Sequence, residues 1–270
     1  MEIIEQQNRW RDQYNAWKTK SGGQTNTDVP AGYPLIKNSR APFTPAHRSL
    51  PMMNLALISS AGAYIDGTDP FDTQSVDGDC TFREIPSEID PADLRWSARG
   101  YDPVFVQQDV NVQIPLARLS EFAGNRVIGQ LNSAFWSFSG FIPDAGRLVD
   151  VMLPQLIERL RRYEVQAALL IPASRLCHQS VALAARAIES AGLPTMMLSV
   201  EREITENVRP PRAGFYKGKI GSVAGEVNWP EHQRRVLDEA LRWVEAMDQP
   251  GTNKLAVELE SQVEAARGER

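Results

Sequence analysis

Cysteine and histidine are scarce in this chain of 270 residues, which has two cysteines and three histidines. Two thiols are too few for a disulfide framework or a structural zinc site, and they favour a reducing compartment. The residues best suited to bind a metal are scattered along the chain: His47, Asp79, Cys80 and His178. They share no ligand spacing, so we expect no bound metal.

Long apolar runs and an excess of basic charge are also missing. No apolar run approaches the roughly 20 residues that cross a bilayer, and the charged, polar N-terminus is unlike a secretory signal. The net charge of −5 argues against nucleic-acid binding. No G-x-G-x-x-G follows a predicted strand, and the glycine-rich residues 214–230 lack P-loop spacing, so we expect no nucleotide cofactor. The sequence therefore predicts a cytoplasmic protein that binds neither membrane nor nucleic acid.

The chain divides into three parts by composition. Residues 1–50 contain an amphipathic helix, predicted over 2–18, and an arm over 21–46 that is rich in Gly, Pro, Ser and Thr. An arm of this length without periodicity is a candidate for contacts with another subunit. Residues 51–248 are predicted to form the folded domain, and 249–270 a frayed, charged tail.

The segment 165–200 carries the clearest fold signal. Residues 167–172 are an apolar run of strand length, 177–191 repeat apolar residues at helical spacing, and 194–200 are apolar again. Such a unit joins two parallel strands by a right-handed helical crossover. Strands are also predicted over 52–59, 104–106 and within 130–142, and helices over 91–96, 115–123, 143–163 and 201–207. This alternation predicts an α/β fold: a Rossmann-like, mainly parallel sheet with helices on both faces.

The loop 172–176 lies at the carboxyl end of a predicted parallel strand, where open α/β sheets bind ligands. It brings together Ser174, Cys177, His178 and Ser180. A cysteine near a helix N-terminus should have a lowered thiol pKa, which makes Cys177 a candidate nucleophile. The alternative, a small buried apolar side chain under the sheet, is equally compatible with the pattern.

The run PASRLCHQSVALAARAIESAGLPTMMLS resembles the core of the selenoprotein B family of glycine, sarcosine and betaine reductases and their D-proline reductase relatives. In that family a selenocysteine or cysteine, two further residues and a cysteine precede the same helix. Cys177 matches the second cysteine, and Ser174 stands at the selenocysteine position. Serine cannot form the selenenyl sulfide or disulfide that the resemblance implies, so either the chemistry differs here or the residue has been replaced.

The resemblance extends over most of residues 52–246. DPFD at 69–72, GDCTFREIP at 78–86, DVN-x-x-x-P at 109–115, RPPRA at 209–213 and QRRVL at 233–237 are similar to family elements in the same order. Two positions depart from it. Residues 96–103 keep Tyr101 and Asp102 but lack the family's histidines. Ser222 stands where the family has a further histidine.

The resemblance also implies roles for the loop after the first strand. Asp79, Thr81, Arg83 and Glu84 would face the same crevice as Cys177. Arg83 would hold a substrate carboxylate, and Asp79 and Glu84 would orient groups or transfer protons. Thr81, Ser180 and Tyr101 would add substrate contacts. The alternative is a surface ion-pair loop.

Two functions remain open at this point. One is a selenoprotein-B-like oxidoreductase, or a subunit of one, that acts on a small amino-acid-derived substrate by reductive cleavage or another thiol-dependent step. Cys177 would be its nucleophile, with Ser174 and His178 beside it. The other is a non-catalytic paralogue that scaffolds or regulates a catalytic homologue through the arm. Both imply a homo-oligomer or a hetero-oligomer with a family paralogue.

Overall fold

A mainly parallel sheet of eight strands forms the centre of the computed structural model, which describes residues 2–21 and 29–257. The strands are β1 Asn54–Ser59, β2 Ala63–Ile65, β3 Arg83–Pro86, β4 Leu94–Trp96, β5 Gln130–Leu131, β6 Ala134–Ser137, β7 Ala167–Ile171, β8 Thr195–Ser199, β9 Arg212–Phe215 and β10 Gly251–Lys254. The helices are α1 Gln7–Ser21, α2 Val104–Gln108, α3 Leu116–Gly124, α4 Ala145–Arg147, α5 Leu153–Arg162, α6 Arg175–Ser190, α7 Arg202–Val208 and α8 Pro230–Ala246. A π-helical turn, Leu148–Met152, joins α4 to α5.

The strand order within the described residues is β10-β9-β8-β7-β1-β6-β3, with β5 beside the start of β1. Neighbours are parallel except β3, which runs antiparallel to β6, and β2 and β4 form a separate ribbon. After β1 the chain adds strands on the β6 side of the sheet, and after β7 it adds strands on the β8 side. The β1–β7 boundary is therefore the topological switch point of the sheet.

Both faces of the sheet are covered by helices, as the sequence predicted. Along β7, Ala168 and Leu170 face a layer formed by α1, α5, α6 and α7. Leu169 and Ile171 face the opposite layer, which contains α3 and α8. This alternation follows from the two-residue repeat of a strand. The α/β, Rossmann-like class is confirmed.

Three local predictions differ from the structure. Residues 104–106 begin helix α2 instead of a strand, because the side chain of Asp102 accepts a hydrogen bond from the backbone N–H of Val104 after Pro103. Residues 91–96 form a short turn, Pro91–Asp93, followed by strand β4. Gly251–Lys254 pairs with β9, where we predicted a frayed tail, and residues 258–270 lie outside the described part. The division into three parts stays a prediction.

The described part of the arm, residues 29–46, packs along α6 of its own chain. Gln179 accepts a hydrogen bond from the backbone N–H of Ile36 at 2.8 Å and donates one to the Tyr33 hydroxyl at 2.9 Å. Further along α6, Glu189 accepts one from the backbone N–H of Thr44 at 2.7 Å and forms a buried ion pair with Arg212. The inner side of the arm is thus occupied, so this side is not the subunit contact that the sequence suggested.

Arg186 ties the arm to two other segments. Its guanidinium is fully buried and donates five hydrogen bonds to backbone carbonyls, those of Glu2, Ile3, Arg40, Val208 and Arg209. The buried side chains of Gln179, Arg186 and Glu189 recur along one side of α6, which explains why a helix with charged residues is buried from residue 176 to residue 189.

Candidate active site at the switch point

The loops that follow β1 and β7 meet at the switch point. The backbone N–H of Ser60, after β1, donates to the carbonyl of Ile171 at 3.0 Å. In return, the Ser60 hydroxyl accepts a hydrogen bond from the backbone N–H of Ala173 at 3.0 Å. Loops at the carboxyl ends of diverging parallel strands form the crevice in which α/β proteins bind ligands. This crevice contains Ser174 and Cys177.

Ser174 and Cys177 form a close pair at the start of α6. Ser174 is the N-cap, and its Oγ accepts a hydrogen bond from the backbone N–H of Cys177 at 3.1 Å. The same hydroxyl donates to Cys177 Sγ at 3.0 Å, while Sγ lies 3.9 Å from the Ser60 carbonyl oxygen. Both side chains are fully buried. The structure thus brings together the two residues that the sequence placed at the centre of the site.

Burial raises the pKa of the Cys177 thiol above its ordinary value. Hydrogen bonds from the Ser174 and Ser60 side chains and from nearby backbone groups oppose this shift but do not overcome it. We predicted a lowered pKa from the helix N-terminus, and that prediction is wrong for the closed site. Removing water disfavours the charged thiolate more than the helix end favours it. The thiol is therefore protonated at neutral pH.

Three residues, Gly100, Tyr101 and Gly140, cover the pair and are called the cover below. A Cβ atom on Gly140 would lie 2.9 Å from Cys177 Sγ, and one on Gly100 would lie 3.1 Å from Ser174 Oγ. The Tyr101 hydroxyl donates to the Ala61 carbonyl at 2.6 Å. Glycine is required at these points because any side chain would collide with the pair or its neighbours. The cover encloses the thiol.

His178 is held by both of its ring nitrogens. Nε2 accepts a hydrogen bond from the backbone N–H of Val200 at 3.2 Å, so Nδ1 carries the proton and donates to the Ser174 carbonyl at 2.7 Å. Burial lowers its pKa to about 4. This geometry favours a structural role over the predicted catalytic one. Ser180, two residues further along α6, is buried, and its Oγ has no hydrogen-bond partner in the described chain.

Arg83 belongs to a compact loop. Its guanidinium donates to the Asp69 carbonyl at 3.2 Å and to Thr81 Oγ1 at 3.0 Å, and it stacks 4.2 Å from the centre of the Phe71 ring. Asp79 accepts hydrogen bonds from the backbone N–H groups of Thr81 and Asp72. Within the described residues, no hydrogen bond or ion pair joins this cluster to Cys177. The predicted roles of Arg83, Thr81 and Asp79 in binding and proton transfer stay predictions.

Glu84 lies on the side of β3 opposite to Arg83, because neighbouring strand residues face opposite ways. Its carboxylate accepts a hydrogen bond from the Tyr163 hydroxyl at 2.5 Å and lies 3.9 Å from Arg159. Tyr163 follows α5 and precedes β7, so it lies at the end of the sheet where β7 begins, opposite to the crevice. The expectation that Glu84 faces the crevice is therefore wrong.

Sequence reasoning missed Ser60 and Gly140. Ser60 directly follows β1, and Gly140 lies three residues after the end of β6, so the rule that singled out the loop after β7 applies to them as well. Residues 2–21 and 29–257 contain no group of three His, Cys, Asp or Glu side chains arranged to hold a metal. Across the same residues, every helix is too short or too polar to span a bilayer.

A Rossmann-like sheet with a thiol and a hydroxyl at its switch point defines an α/β protein with a candidate thiol site. The chain is 28% identical over 221 residues to the D-proline reductase subunit gamma of Acetoanaerobium sticklandii. The aligned residues cover 82% of this chain and 88% of that protein. It is 25% identical to the glycine reductase complex component B subunit gamma of Symbiobacterium thermophilum and 27% to the sarcosine reductase complex component B subunit beta of Peptoclostridium acidaminophilum.

These two matches cover 61% and 62% of this chain but 38% of each relative. All three relatives are named as reductase subunits, which supports a relationship to the reductase B-subunit family. No family model matches the chain. No solved structure matches it either.

Proposed function

We propose that this chain is a component of an oligomeric reductase that acts on a small amino-acid-derived substrate, with Cys177 as its thiol nucleophile. The observation that carries the proposal is the 3.0 Å contact between Ser174 Oγ and Cys177 Sγ at the switch point. It keeps positions 174 and 177 in the arrangement that a redox pair needs. The names of the three relatives support a reductase subunit.

A single thiol limits the chemistry of this chain. A Cys177 thiolate can attack an electrophilic carbon of the substrate and form a thioether, while the displaced group departs with its bonding electron pair and takes up a proton. Ser174 cannot release the bound group by forming a disulfide, and Cys80, the only other cysteine in the sequence, packs in a different cluster of the core. A thiol from another component then has to attack Cys177 Sγ: a disulfide forms between the two proteins, and the carbon fragment leaves with the electron pair of the C–S bond and takes up a proton. The two thiols supply the two electrons, and a dithiol reductant from outside this chain has to reduce the disulfide and return Cys177 to its free form. The proposal therefore requires a hetero-oligomer.

The cover has to move before a substrate can reach Cys177. Opening would also admit water, which removes the cause of the raised thiol pKa and lets the N-terminus of α6 favour the thiolate. The hydrogen bond between Tyr101 and the Ala61 carbonyl is one contact that opening would break. Access and activation of the thiol are thus coupled in this proposal.

The second candidate is a non-catalytic component that scaffolds or regulates a catalytic partner. The enclosed, protonated Cys177 favours it, because buried cysteines commonly serve as small apolar side chains. In that case Ser174 acts only as the N-cap of α6. The two candidates differ in whether the complex needs the thiol.

The primary experiment is Ser174→Cys, made together with Cys80→Ala to leave one thiol pair. We expect a reversible disulfide between positions 174 and 177, because the replaced hydroxyl already contacts Sγ. Thiol titration under a series of redox buffers measures it. The matched control adds Cys177→Ala and should show one independent thiol. Two thiols that titrate independently in the test variant would contradict the proposed redox geometry.

A second experiment separates catalysis from scaffolding. The chain is purified with the proteins that bind it, and substrate reduction by the complex is measured for the wild type and for Cys177→Ala. If Cys177 is the nucleophile, activity falls to background while the complex still assembles. Unchanged activity with Cys177→Ala in an intact complex would favour the scaffold.

A further inference from the structure

A surface pocket of about 590 Å³ lies between the arm, the end of α7 and the start of β10. The arm contributes Arg40 and Ala41, the α7–β9 connection contributes Arg209 and Pro210, and Thr252 comes from β10. It contains none of the residues around Cys177. Neither the proposed reductase chemistry nor the fold accounts for it.

Arg186 fixes the two arginines of this pocket beside each other. Its Nη1 donates to the carbonyl of Arg40 at 2.6 Å and to the carbonyl of Arg209 at 2.9 Å. Two backbone oxygens bonded to one nitrogen are close together, so the side chains of Arg40 and Arg209 start from neighbouring points. Both residues are exposed. Among the described residues, neither guanidinium forms a hydrogen bond or an ion pair.

The charge around the pocket is positive, although the whole chain carries −5. Glu206 is the carboxylate on the pocket wall, and it is paired with Arg202 at 2.6 Å. Beneath the pocket, the buried Arg186 guanidinium bonds to carbonyl oxygens and, within the described chain, to no carboxylate. Glu5, which accepts backbone hydrogen bonds from the arm at Ser39, supplies the remaining negative charge. When the Arg202–Glu206 pair is set aside, the three guanidinium groups of Arg40, Arg209 and Arg186 lie near one carboxylate, that of Glu5.

The backbone of Arg209 supports a specific role for its side chain. Arg209 ends α7 in the left-handed region, with φ 57° and ψ 68°. Glycine is the usual residue at such a position because a side chain is strained there. The strained position carries a long cationic side chain that points to no partner in the described structure.

We propose that this pocket binds a small organic anion through Arg40 and Arg209. Guanidinium groups form paired, charge-assisted hydrogen bonds to carboxylate or phosphate oxygens. The apolar surfaces of Ala41 and Pro210 contact the body of the ligand, and the pocket volume lies in the range of small-molecule sites. The bound anion compensates the positive charge of Arg186 beneath it. The site is independent of the chemistry at Cys177.

Isothermal titration calorimetry of the full chain at low ionic strength tests the site with two probes, pyrophosphate and succinate. We expect one-site binding of at least one probe, and a loss of affinity of at least tenfold in the double variant Arg40→Ala, Arg209→Gly. Both substitutions keep the backbone carbonyls that Arg186 holds. Binding of pyrophosphate alone assigns a phosphate ligand, and binding of succinate alone assigns a carboxylate.

The matched control is Arg126→Gly, since Arg126 is also exposed and left-handed, with φ 59°, but lies outside the pocket. It should leave the affinity unchanged. The proposal is overturned if neither probe binds at millimolar concentration. It is also overturned if the double variant binds as tightly as the wild type, or if Arg126→Gly weakens binding equally.

Discussion

Replacing Arg186 by methionine should destabilise the chain and release the arm. The substitution removes five hydrogen bonds from a charged donor to buried carbonyls. Four N–H groups make these bonds, because the two protons of Nη1 serve three carbonyls, and at about 1.5 kcal/mol each their loss amounts to roughly 6 kcal/mol. Removing a buried cation returns several kcal/mol of desolvation free energy. We therefore expect a net decrease of about 3 kcal/mol in the free energy of unfolding, because the hydrogen bonds outweigh the desolvation.

Urea unfolding followed by tryptophan fluorescence measures this change. Trp10 and Trp17 are buried in α1 and donate hydrogen bonds to arm carbonyls, so their fluorescence reports release of the arm. Arg242→Met is the matched control, because Arg242 forms surface ion pairs within α8 and should contribute less than about 1 kcal/mol. An Arg186→Met variant as stable as the wild type, or more stable, would refute the reasoning.

Three further predictions follow from buried groups. Because the pKa of His178 is about 4 in the folded chain against 6.5 in the unfolded one, its stabilising contribution, about 3 kcal/mol, is present above pH 6.5 and lost as the pH falls toward 4. Unfolding as a function of pH should show this loss in the wild type and in His47→Gln but not in His178→Gln. Glu189→Gln leaves Arg212 buried without a counter-charge and should cost about 3 kcal/mol by urea unfolding; an effect under about 1 kcal/mol would contradict this. Gly140→Ala should cost about 1–3 kcal/mol and speed alkylation of the thiol beneath it. Gly124→Ala, where an added Cβ meets no other segment within 4 Å, should do neither.

The central part of the fold was predictable because its signals are local. Residues 167–172 and 177–191 carry the strand and helix patterns without interruption, and the structure has β7 and α6 there. The position of Ser174 and Cys177 then follows from a general rule about the carboxyl ends of parallel strands. The site could be located without knowing which other segments approach it.

The rest depends on contacts between distant segments. The direction of the Cys177 pKa shift required knowledge that Gly100 and Gly140 approach the thiol from other loops and exclude water. Arg186 and Glu189 carry charges that predict a solvent-exposed face, yet the arm covers both. Such pairings cannot be derived from the spacing of residues along one helix.

The attachment of the arm to α6 imposes an order on folding during synthesis. The arm precedes its partners in the chain: the bond from Arg186 to the Arg40 carbonyl spans 146 residues, and the bond from Thr44 to Glu189 spans 145. These partners do not exist until most of the chain has left the ribosome. Contacts between residues so far apart in sequence form slowly, so the arm docks well after it has been synthesised. Until α6 has been synthesised, the arm lacks these partners and is exposed to proteases and chaperones.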